Sequence, residues 1–545
     1  MSPARWVLLA SCALACAARP VPFVLAQASS EVIEDPELAG SPPSDAGSST
    51  ASGEVIEDPE LANAPPSDAT SGSNTSSGSS GADVRLVLHM RLSRDLREED
   101  PREEVWDSTT VAALDATLRR SDSLRFALGL VARYRYSRLA RAVSDARADR
   151  YEFDVLPSAG YVDGSISSGL HLRAGYQPVH LGRFDVFSAT NVLSISDLRS
   201  GLSTLPELGE IAQFAARLDY APVGWFALQL IYIPFFTPHL VSVSEGDYAL
   251  LRSSQAQVDA VFNDNGILSP NLLRGFVASN LSRQDRERLA ETGLDALAPS
   301  PTFAHPQAAL RASAHGPAGE LALTFSSALE HIPAFRVSDS LLNPSSAASN
   351  MPDLRPLRVE YNRFAVISAD GAIDLPPFSI GLELAYSFHR TFYAVGVADA
   401  DSPYAVPIPD FSDVAQVGAR IEYLQSSHWL FALEAYGAYA MSTPRDPQRG
   451  WLFMQGEHYL YGAGGAFGYR SDFGLSLQLA AAVLSGPSWI VGPRIAYALF
   501  EPLELELGAL FVEGRAPPVF ATPNVSFGGL YSNVDQVFFG LRCKL

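Results

Sequence analysis

The sequence predicts an all-β fold: a transmembrane antiparallel β-barrel of about 18 strands, with 16 as the alternative, behind a disordered N-terminal tail. Three observations lead to this prediction. Apolar and polar residues alternate with a period of two over many segments of about ten residues. No apolar run after the first 28 residues is long enough for a spanning helix. Short and long connections also alternate along the chain, as they do in barrels that cross an outer membrane.

The first 28 residues predict an export signal. Arg5 supplies a positive charge, residues 6–18 are apolar, and Ala26-Gln27-Ala28 has the small residues that a signal peptidase requires. We expect cleavage after Ala28, with lipoprotein processing at Cys12 as the alternative. Cleavage after Ala28 leaves Cys543 as the single cysteine, which excludes an intrachain disulfide and a cysteine metal cluster.

Residues 29–83 predict a disordered acidic tail. Residues 31–46 read EVIEDPELAGSPPSDA, and residues 54–69 repeat this segment almost unchanged after 23 residues. The tail has 11 acidic residues, no basic residue and too little apolar surface for a core. We expect it in the periplasm, either as a self-repelling spacer or as paired peptide ligands for a periplasmic protein or the cell wall.

The charge balance excludes several functions. The net charge is −21, which argues against nucleic acid as a partner because phosphate binding depends on clustered cations. Lys544 is the only lysine among 39 basic residues, which rules out a Walker A loop and disfavours a lysine Schiff base. The chain has no Gly-x-Ser-x-Gly or His-Glu-x-x-His motif. We therefore expect no enzymatic activity, no cofactor and no metal site.

Eighteen strands are predicted between residues 84 and 545. In residues 124–136, apolar residues on one face alternate with an arginine-rich face, and residues 378–389 and 414–423 alternate in the same way. The predicted strands are 84–92, 109–119, 124–136, 150–157, 169–177, 212–220, 225–236, 307–315, 319–330, 357–368, 378–389, 414–423, 429–441, 459–469, 474–484, 491–499, 503–512 and 534–545.

The connections support the membrane prediction. Those after even-numbered strands are mostly tight turns, whereas most of those after odd-numbered strands are long. An outer-membrane barrel has short periplasmic turns and long external loops, so both termini are expected on the periplasmic side. The longest loop, 237–306, contains a predicted helix capped by Ser282, which either plugs the barrel mouth or lies on the surface.

A family resemblance rests on the region after the fifth predicted strand. Residues 171–188 read HLRAGYQPVHLGRFDVFS, residues 192–199 read VLSISDLR, and residues 230–236 read LIYIPFF. This region resembles a proteobacterial outer-membrane porin-like β-barrel family with the motif Leu-Arg-x-Gly-x-Gln, then Gly-x-x-Asp, then Asp-Leu-Arg. Leu181 stands where that family has tryptophan, and Ser194-Ile195 replace its Asn-Pro. The resemblance implies an outer-membrane channel or small-molecule exporter without enzymatic chemistry.

The inward faces of the predicted strands supply the candidate pore. Concentration of arginine in the first, third and fifth strands favours anionic solutes, and an interior whose charges pair with one another is the alternative. The pore-lining candidates are Arg125, Arg133, Arg135, Arg173, Gln177, Arg217, Arg420, Glu422 and Arg494.

The long loop after the fifth strand is the candidate constriction. Gly175 and Gly182 allow a close backbone approach where the chain leaves the wall. The charged candidates are Arg183, Asp185, Asp197 and Arg199. They are expected either to narrow the lumen as a charged constriction or to act as a structural lock that holds the loop.

The function predicted from these features is an outer-membrane channel for diffusion or export of small solutes, with a possible preference for anions. Its partners would be outer-membrane lipid and a small solute. The alternative is a structural or adhesive surface barrel that does not transport.

Overall fold

Eighteen antiparallel strands form one closed barrel in the computed structural model of the chain. The structure describes residues 81–96, 104–121, 123–139, 149–184, 188–199, 211–240, 303–332, 334–337, 357–396, 408–423, 428–445, 449–451, 458–485, 488–514 and 535–545. No helix long and apolar enough to span a membrane occurs in these ranges.

Twenty-one strands are numbered here in chain order. They are β1 (Gly81–Asp95), β2 (Glu104–Ser121), β3 (Leu124–Leu139), β4 (Asp149–Ser167), β5 (Leu170–Gln177), β6 (Gln213–Val223), β7 (Phe226–Ile233), β8 (Gln307–Gly316), β9 (Gly319–Leu329), β10 (Ala334–Val337), β11 (Leu357–Glu360), β12 (Arg363–Leu375), β13 (Phe378–Gly396), β14 (Ile408–Tyr423), β15 (Trp429–Ala440), β16 (Arg449–Trp451), β17 (Tyr459–Arg470), β18 (Leu475–Leu484), β19 (Ser488–Phe500), β20 (Leu503–Glu513) and β21 (Gln536–Lys544).

Pairing of the first strand with the last closes the barrel. β1 pairs with β2 on one side and with β21 on the other, from Val87 opposite Lys544 to Asp95 opposite Gln536. Three strands do not count among the 18 strands of the barrel wall. β10 and β11 form a separate two-stranded sheet, and the three-residue β16 extends the main sheet beside β13. The prediction of 18 strands is confirmed, and the alternative of 16 is wrong.

The strand boundaries differ from the prediction where alternation breaks. β4 runs from Asp149 to Ser167, well beyond the predicted 150–157, because a register shift opposite Gly129 and Leu130 of β3 interrupts its pattern. β12 begins at Arg363, not at residue 357, because Leu357–Glu360 pair separately as β11. β10, β11 and β16 were not predicted. The predicted signal peptide, nearly all of the acidic tail and the helix near Ser282 lie outside the described residues.

Short and long connections alternate around the barrel as predicted. At one end of the barrel, hereafter the turn end, neighbouring strands are joined by short turns, the longest of which spans residues 424–428. At the other end, the loop end, connections reach the length of 234–306 between β7 and β8. The short link 485–487 between β18 and β19 is an exception at the loop end.

The outer face of the barrel is apolar and is bordered by aromatic residues at both ends. Leu128, Leu323 and Leu382 are about half exposed on this face, with relative exposures of 53%, 59% and 49%. Aromatic side chains at the turn end include Tyr220, Trp225, Phe378, Trp429 and Phe473, and those at the loop end include Tyr151, Tyr176, Phe388, Tyr459 and Trp489. An apolar band between two aromatic girdles is the surface of a barrel that spans a membrane.

Gly175 marks the place where β5 lies unusually close to β4. Its φ is +134°, and a Cβ atom there would lie 2.2 Å from the carbonyl oxygen of Gly160. Only glycine fits this backbone without strain. The expectation of a close backbone approach at Gly175 is therefore confirmed.

Two deletions test which parts of the chain the barrel needs. Removing residues 536–545 eliminates β21 and leaves β1 and β20 with unpaired edges, so we expect no heat-modifiable barrel on gels. Removing residues 31–80 leaves every described strand intact, so this control should assemble normally. Assembly without residues 536–545, or failure without residues 31–80, would contradict the closure described above.

Candidate pore and constriction

The inner face of the barrel carries all nine predicted pore-lining residues. Inward side chains lie at alternate positions, so Arg133 of β3 stands opposite Asp154 of β4, while the neighbouring Tyr134 is 44% exposed on the outer face. The inward set comprises Arg125, Arg133, Arg135, Arg173, Gln177, Arg217, Arg420, Glu422 and Arg494.

Most of these arginines pair with carboxylates of the same interior. Arg135 pairs with Asp107 and Arg173 pairs with Asp163. The other pairs are Arg217 with Asp219 at 2.7 Å, Arg420 with Glu422 at 3.0 Å, and Arg494 with Glu506 at 2.8 Å. The interior at these positions therefore has the self-paired arrangement, in which opposite charges largely cancel, and not a ladder of unpaired arginines.

Arg125 and Arg119 differ from the paired arginines described above. They face each other across β3 and β2 near the turn end, and Arg125 donates a hydrogen bond to the Tyr161 hydroxyl at 3.0 Å. Within the part of the chain that the structure describes, neither guanidinium forms an ion pair with a carboxylate. The charges of these two guanidinium groups are therefore not offset by an ion pair in the described chain.

Residues 178–184 and 188–199, hereafter the inserted segment, fold from the end of β5 into the barrel. Val179, Leu181 and Leu193 are buried against inward side chains of the wall. The wall residues of this cluster are Ala215, Ile231, Ile233, Ala309, Ala328, Phe364, Val366 and Ala385, which come from β6, β7, β8, β9, β12 and β13. Apolar residues on the inner face of a barrel would otherwise face water, so their burial stabilises the segment inside the lumen.

Glutamine side chains fix the two ends of this packing. Gln177 is almost fully buried and donates a hydrogen bond to the carbonyl oxygen of Ala215 at 3.0 Å. Gln213 of β6 donates to the carbonyl oxygen of Leu193. Gln177 therefore holds the end of β5 against β6, because its side-chain amide donates to the backbone of β6.

Arg183 joins the inserted segment to one side of the barrel. Its guanidinium pairs with Glu320 of β9, and Arg311 of β8 lies 3.4 Å from the same carboxylate and 2.8 Å from Asp370. Arg420 of β14 donates to the backbone carbonyl oxygen of Arg183 at 3.2 Å. Side chains of β8, β9, β12 and β14 therefore take part in this network around Arg183.

Asp197 and Arg199 join the inserted segment to another part of the wall, at β3 and β4. Arg199 pairs with Asp197 at 2.6 Å and with Asp154 of β4 at 2.9 Å, and the fully buried Arg133 reaches Asp197 at 3.2 Å. Burial by itself would raise the pKa of Asp197, but hydrogen bonds and charges from Arg199, together with the charge of Arg133, hold this pKa below its usual value. The carboxylate therefore stays ionised at neutral pH.

Residues 237–240, which follow β7, cross the same part of the inserted segment. Asp197 forms a bridge with Leu240, and the Ser196 N–H donates to Nδ1 of His239 at 3.0 Å. The ring of His239 lies 5.0 Å from that of His331, whose Nδ1 contacts the carbonyl oxygen of Thr237 at 3.0 Å. Because His239 accepts a hydrogen bond through Nδ1, this contact requires the imidazole to be neutral.

The structure places three of the four constriction candidates in this segment but does not gather them into one ring. Arg183 lies toward β8 and β9, whereas Asp197 and Arg199 lie toward β3 and β4. Asp185 lies outside the described residues. Each of the three described side chains is engaged in ion pairs.

Sequence reasoning did not connect several residues with the inserted segment, which they contact directly or through a shared partner: Arg311, Glu320, Asp370, Glu383, His239 and His331. Alternation in the sequence indicates which acids face inward. In several cases, however, their partners lie more than one hundred residues away along the sequence. Among the described residues, no group of three or more His, Cys, Asp or Glu side chains could hold a metal ion.

Acidification should loosen the contact between the inserted segment and residues 237–240. Burial, with the nearby His331, lowers the pKa of His239 to about 3, and burial together with the charge of Arg390 lowers that of His331 to about 4. When this contact is broken, both imidazoles would titrate near pH 6.5. The contact is therefore strongest above pH 6.5. It weakens as the pH falls toward the lowered pKa values, by about 1.4 kcal/mol per pH unit for each histidine.

Hydrogen exchange of the Ser196 and Leu198 amides, corrected for intrinsic rates, measures this effect between pH 7 and pH 5. Protection should fall with pH, and His239→Gln should flatten the dependence. Asp197 should not contribute, because its lowered pKa keeps it charged throughout this interval. Protection that does not vary with pH would contradict the role of the two histidines.

Comparison with known proteins found matches only among solved structures. No protein-family model matches the chain, and no curated protein matches its sequence. Acinetobacter baumannii OccAB4 is 9% identical with a TM-score of 0.40, over 85% of this chain and 98% of that one. Pseudomonas aeruginosa OpdK, solved with vanillate, and OccK2 (OpdF), solved with glucuronate, are each 10% identical over the same shares, with TM-scores of 0.41 and 0.42. With TM-scores below 0.5, the architecture of this chain rests on its own strand pairing.

Proposed function

We propose that this protein is an outer-membrane channel that lets small solutes pass through the lumen of its barrel. One observation carries the proposal: a closed barrel with an apolar outer band between aromatic girdles encloses an interior lined with charged and polar side chains. Closure satisfies every strand hydrogen bond inside hydrocarbon, and a charged interior suits water-filled space. The chain would reach this membrane through the predicted export signal.

The solute path lies beside the inserted segment. The segment covers the inner faces of β6 to β9, β12 and β13, where its apolar residues are buried. Across the lumen, Gly464 of β17, Ala480 and Ala482 of β18, and Gly492 of β19 face inward, are adjacent in register and remain partly exposed. Small side chains leave space, so this wall and the inserted segment would form the two sides of the constriction.

Selectivity would be set at the turn end of the lumen. Ion pairing cancels most of the charge on the arginines beside the inserted segment, whereas Arg119 and Arg125 stand opposite each other without a paired carboxylate in the described chain. Two positive charges that face the same aqueous space attract anions. We therefore assign a modest anion preference to this pair.

Orientation follows from the loop lengths. Short turns face the periplasm in outer-membrane barrels, so the turn end, with Arg119 and Arg125, would be the periplasmic mouth. The acidic tail precedes β1 on the same side, where it would act as a spacer or as a ligand for a periplasmic or cell-wall partner. Its 11 acids would also raise the negative charge near this mouth.

Charge reversal at Arg119 and Arg125 tests the proposed selectivity. Planar-bilayer recordings in a salt gradient should show a reversal potential shifted toward cation preference for the Arg119→Glu, Arg125→Glu double variant. The matched Arg119→Lys, Arg125→Lys variant keeps both charges and should retain the wild-type reversal potential.

Two results would contradict this account. An unchanged reversal potential in the glutamate variant would remove these residues from selectivity. A wild-type barrel that folds but does not conduct would overturn the channel and favour a structural or adhesive barrel.

A further inference from the structure

One carboxylate of the barrel wall holds the backbone of the inserted segment. Glu383 of β13 faces inward and is fully buried. Its Oε1 accepts hydrogen bonds from the backbone N–H groups of Arg183 at 2.7 Å and Phe184 at 3.2 Å. Its Oε2 accepts from the Ala189 N–H at 2.8 Å and the Ser188 hydroxyl at 3.0 Å. These N–H groups have no strand partner, so the carboxylate supplies the acceptors that a sheet would otherwise provide.

A cleft beside Glu383 receives an aromatic side chain of the same segment. Phe184 is 1% exposed, and its ring occupies the space above two glycines of the wall. A Cβ atom on Gly381 would lie 2.9 Å from the ring, and one on Gly418 would lie 2.5 Å from it. Gly418 is the direct cross-strand partner of Glu383, so the cleft and the carboxylate form one continuous surface.

The backbone of the inserted segment turns sharply to reach this surface. Gly182 has a φ of +93°, and a Cβ atom there would lie 1.8 Å from Oγ1 of Thr190 and 2.6 Å from Oε1 of Glu383. Thr190 in turn donates to the carbonyl oxygen of Leu181 at 3.2 Å. Glycine at this position therefore lets both arms of the turn approach the carboxylate.

Glu383 differs in its partners from the buried acids that pair with arginine. Among the residues that the structure describes, no Lys, Arg or His side chain forms an ion pair with it, and the opposing residue on β12 is another acid, Asp370. The N–H and O–H donors of the inserted segment thus offset the cost of burying this carboxylate. Hydrogen bonds to a charged group are stronger than those between neutral groups.

We propose that Glu383, Gly381 and Gly418 form a dock that positions the inserted segment and thereby sets the width of the constriction. This inference rests on the proposed channel function. The ion pairs of Arg183 and Asp197 tether the segment through side chains, and arginine side chains can pivot. The dock instead binds main-chain atoms, so it fixes where the backbone lies. Glu383 is a positioning residue that acts on solutes only through the segment.

Substitution of the carboxylate tests the dock. Glu383→Gln keeps the side chain's size but leaves a single acceptor oxygen and no charge. Hydrogen exchange should show about a tenfold or greater loss of protection at the Arg183, Phe184 and Ala189 amides. Single-channel conductance should rise because the segment no longer lies in a fixed position.

Glu506→Gln is the matched control for removing a buried inward acid. Glu506 of β20 is 1% exposed and pairs with Arg91 and Arg494 of the wall. This variant should leave exchange in residues 181–190 at the wild-type rate. It separates loss of the dock from loss of any buried charge.

A second pair of variants tests the dock without changing charge. Gly418→Ala places a methyl group in the volume of the Phe184 ring and should reproduce both effects of Glu383→Gln. Gly492→Ala also adds a methyl group to an inward strand glycine, but its nearest atoms are 3.7 and 3.8 Å away and belong to β20, so exchange in residues 181–190 should stay at the wild-type rate and conductance should not rise.

The readouts separate the dock from the channel. Lost protection and raised conductance in both dock variants, and in neither control, support the proposal. Unchanged protection in the dock variants, or lost protection with unchanged conductance, would overturn the dock. Conductance of the wild-type barrel would still support the channel function in that case. If the wild type does not conduct and both dock variants still lose protection, positioning by the dock is supported and the channel function fails.

Discussion

The requirement that every main-chain polar group find a partner governs this structure. In hydrocarbon no water can replace a missing strand, so β1 and β21 must meet for the other strands to be stable in a membrane. The same requirement recurs inside the lumen, where the inserted segment has N–H groups but no strand beside it. There the carboxylate of Glu383 takes the place of a strand edge.

Charge pairing follows from bringing this segment into the barrel. Arg133 is fully buried once Asp197 and Arg199 lie over it, and a buried guanidinium without carboxylates would be costly. The wall arginines that contact the inserted segment or its partners therefore form ion pairs. Arg119 and Arg125 form no ion pair in the described chain and lie near the turn end, where the proposed channel would use them to act on solutes.

The barrel could be predicted from the sequence because its signals are local. Alternation in β3 and β13 can be read within a dozen residues, and turns such as Gly316–Gly319 mark strand ends without further information. The pattern failed where a bulge shifted the register of β4 and where the short β11 preceded β12. In both places the pairing partner, and not the residue's own neighbours, decides the boundary.

The interior of the site could be predicted only in part. Side-chain direction follows from alternation, so the inward arginines were identified, and the motif around Gly182 indicated where the chain leaves the wall. Their partners could not be identified, because Arg183 meets Glu320 and Ala189 meets Glu383 across 137 and 194 residues of sequence. Glu383 stands in a strand of ordinary alternation, and only the fold shows that a loop backbone lies over it.

Single-channel conductance of a segment-replacement variant tests the central claim most directly. Replacing residues 179–199 with a Gly-Ser linker of equal length removes the apolar side chains, the ion pairs and the dock contacts together, and gel heat-modifiability reports whether the barrel remains closed. The account predicts a closed barrel with a conductance clearly above that of the wild type. A closed barrel with unchanged conductance, or wild-type and variant barrels that both fail to conduct, would contradict it.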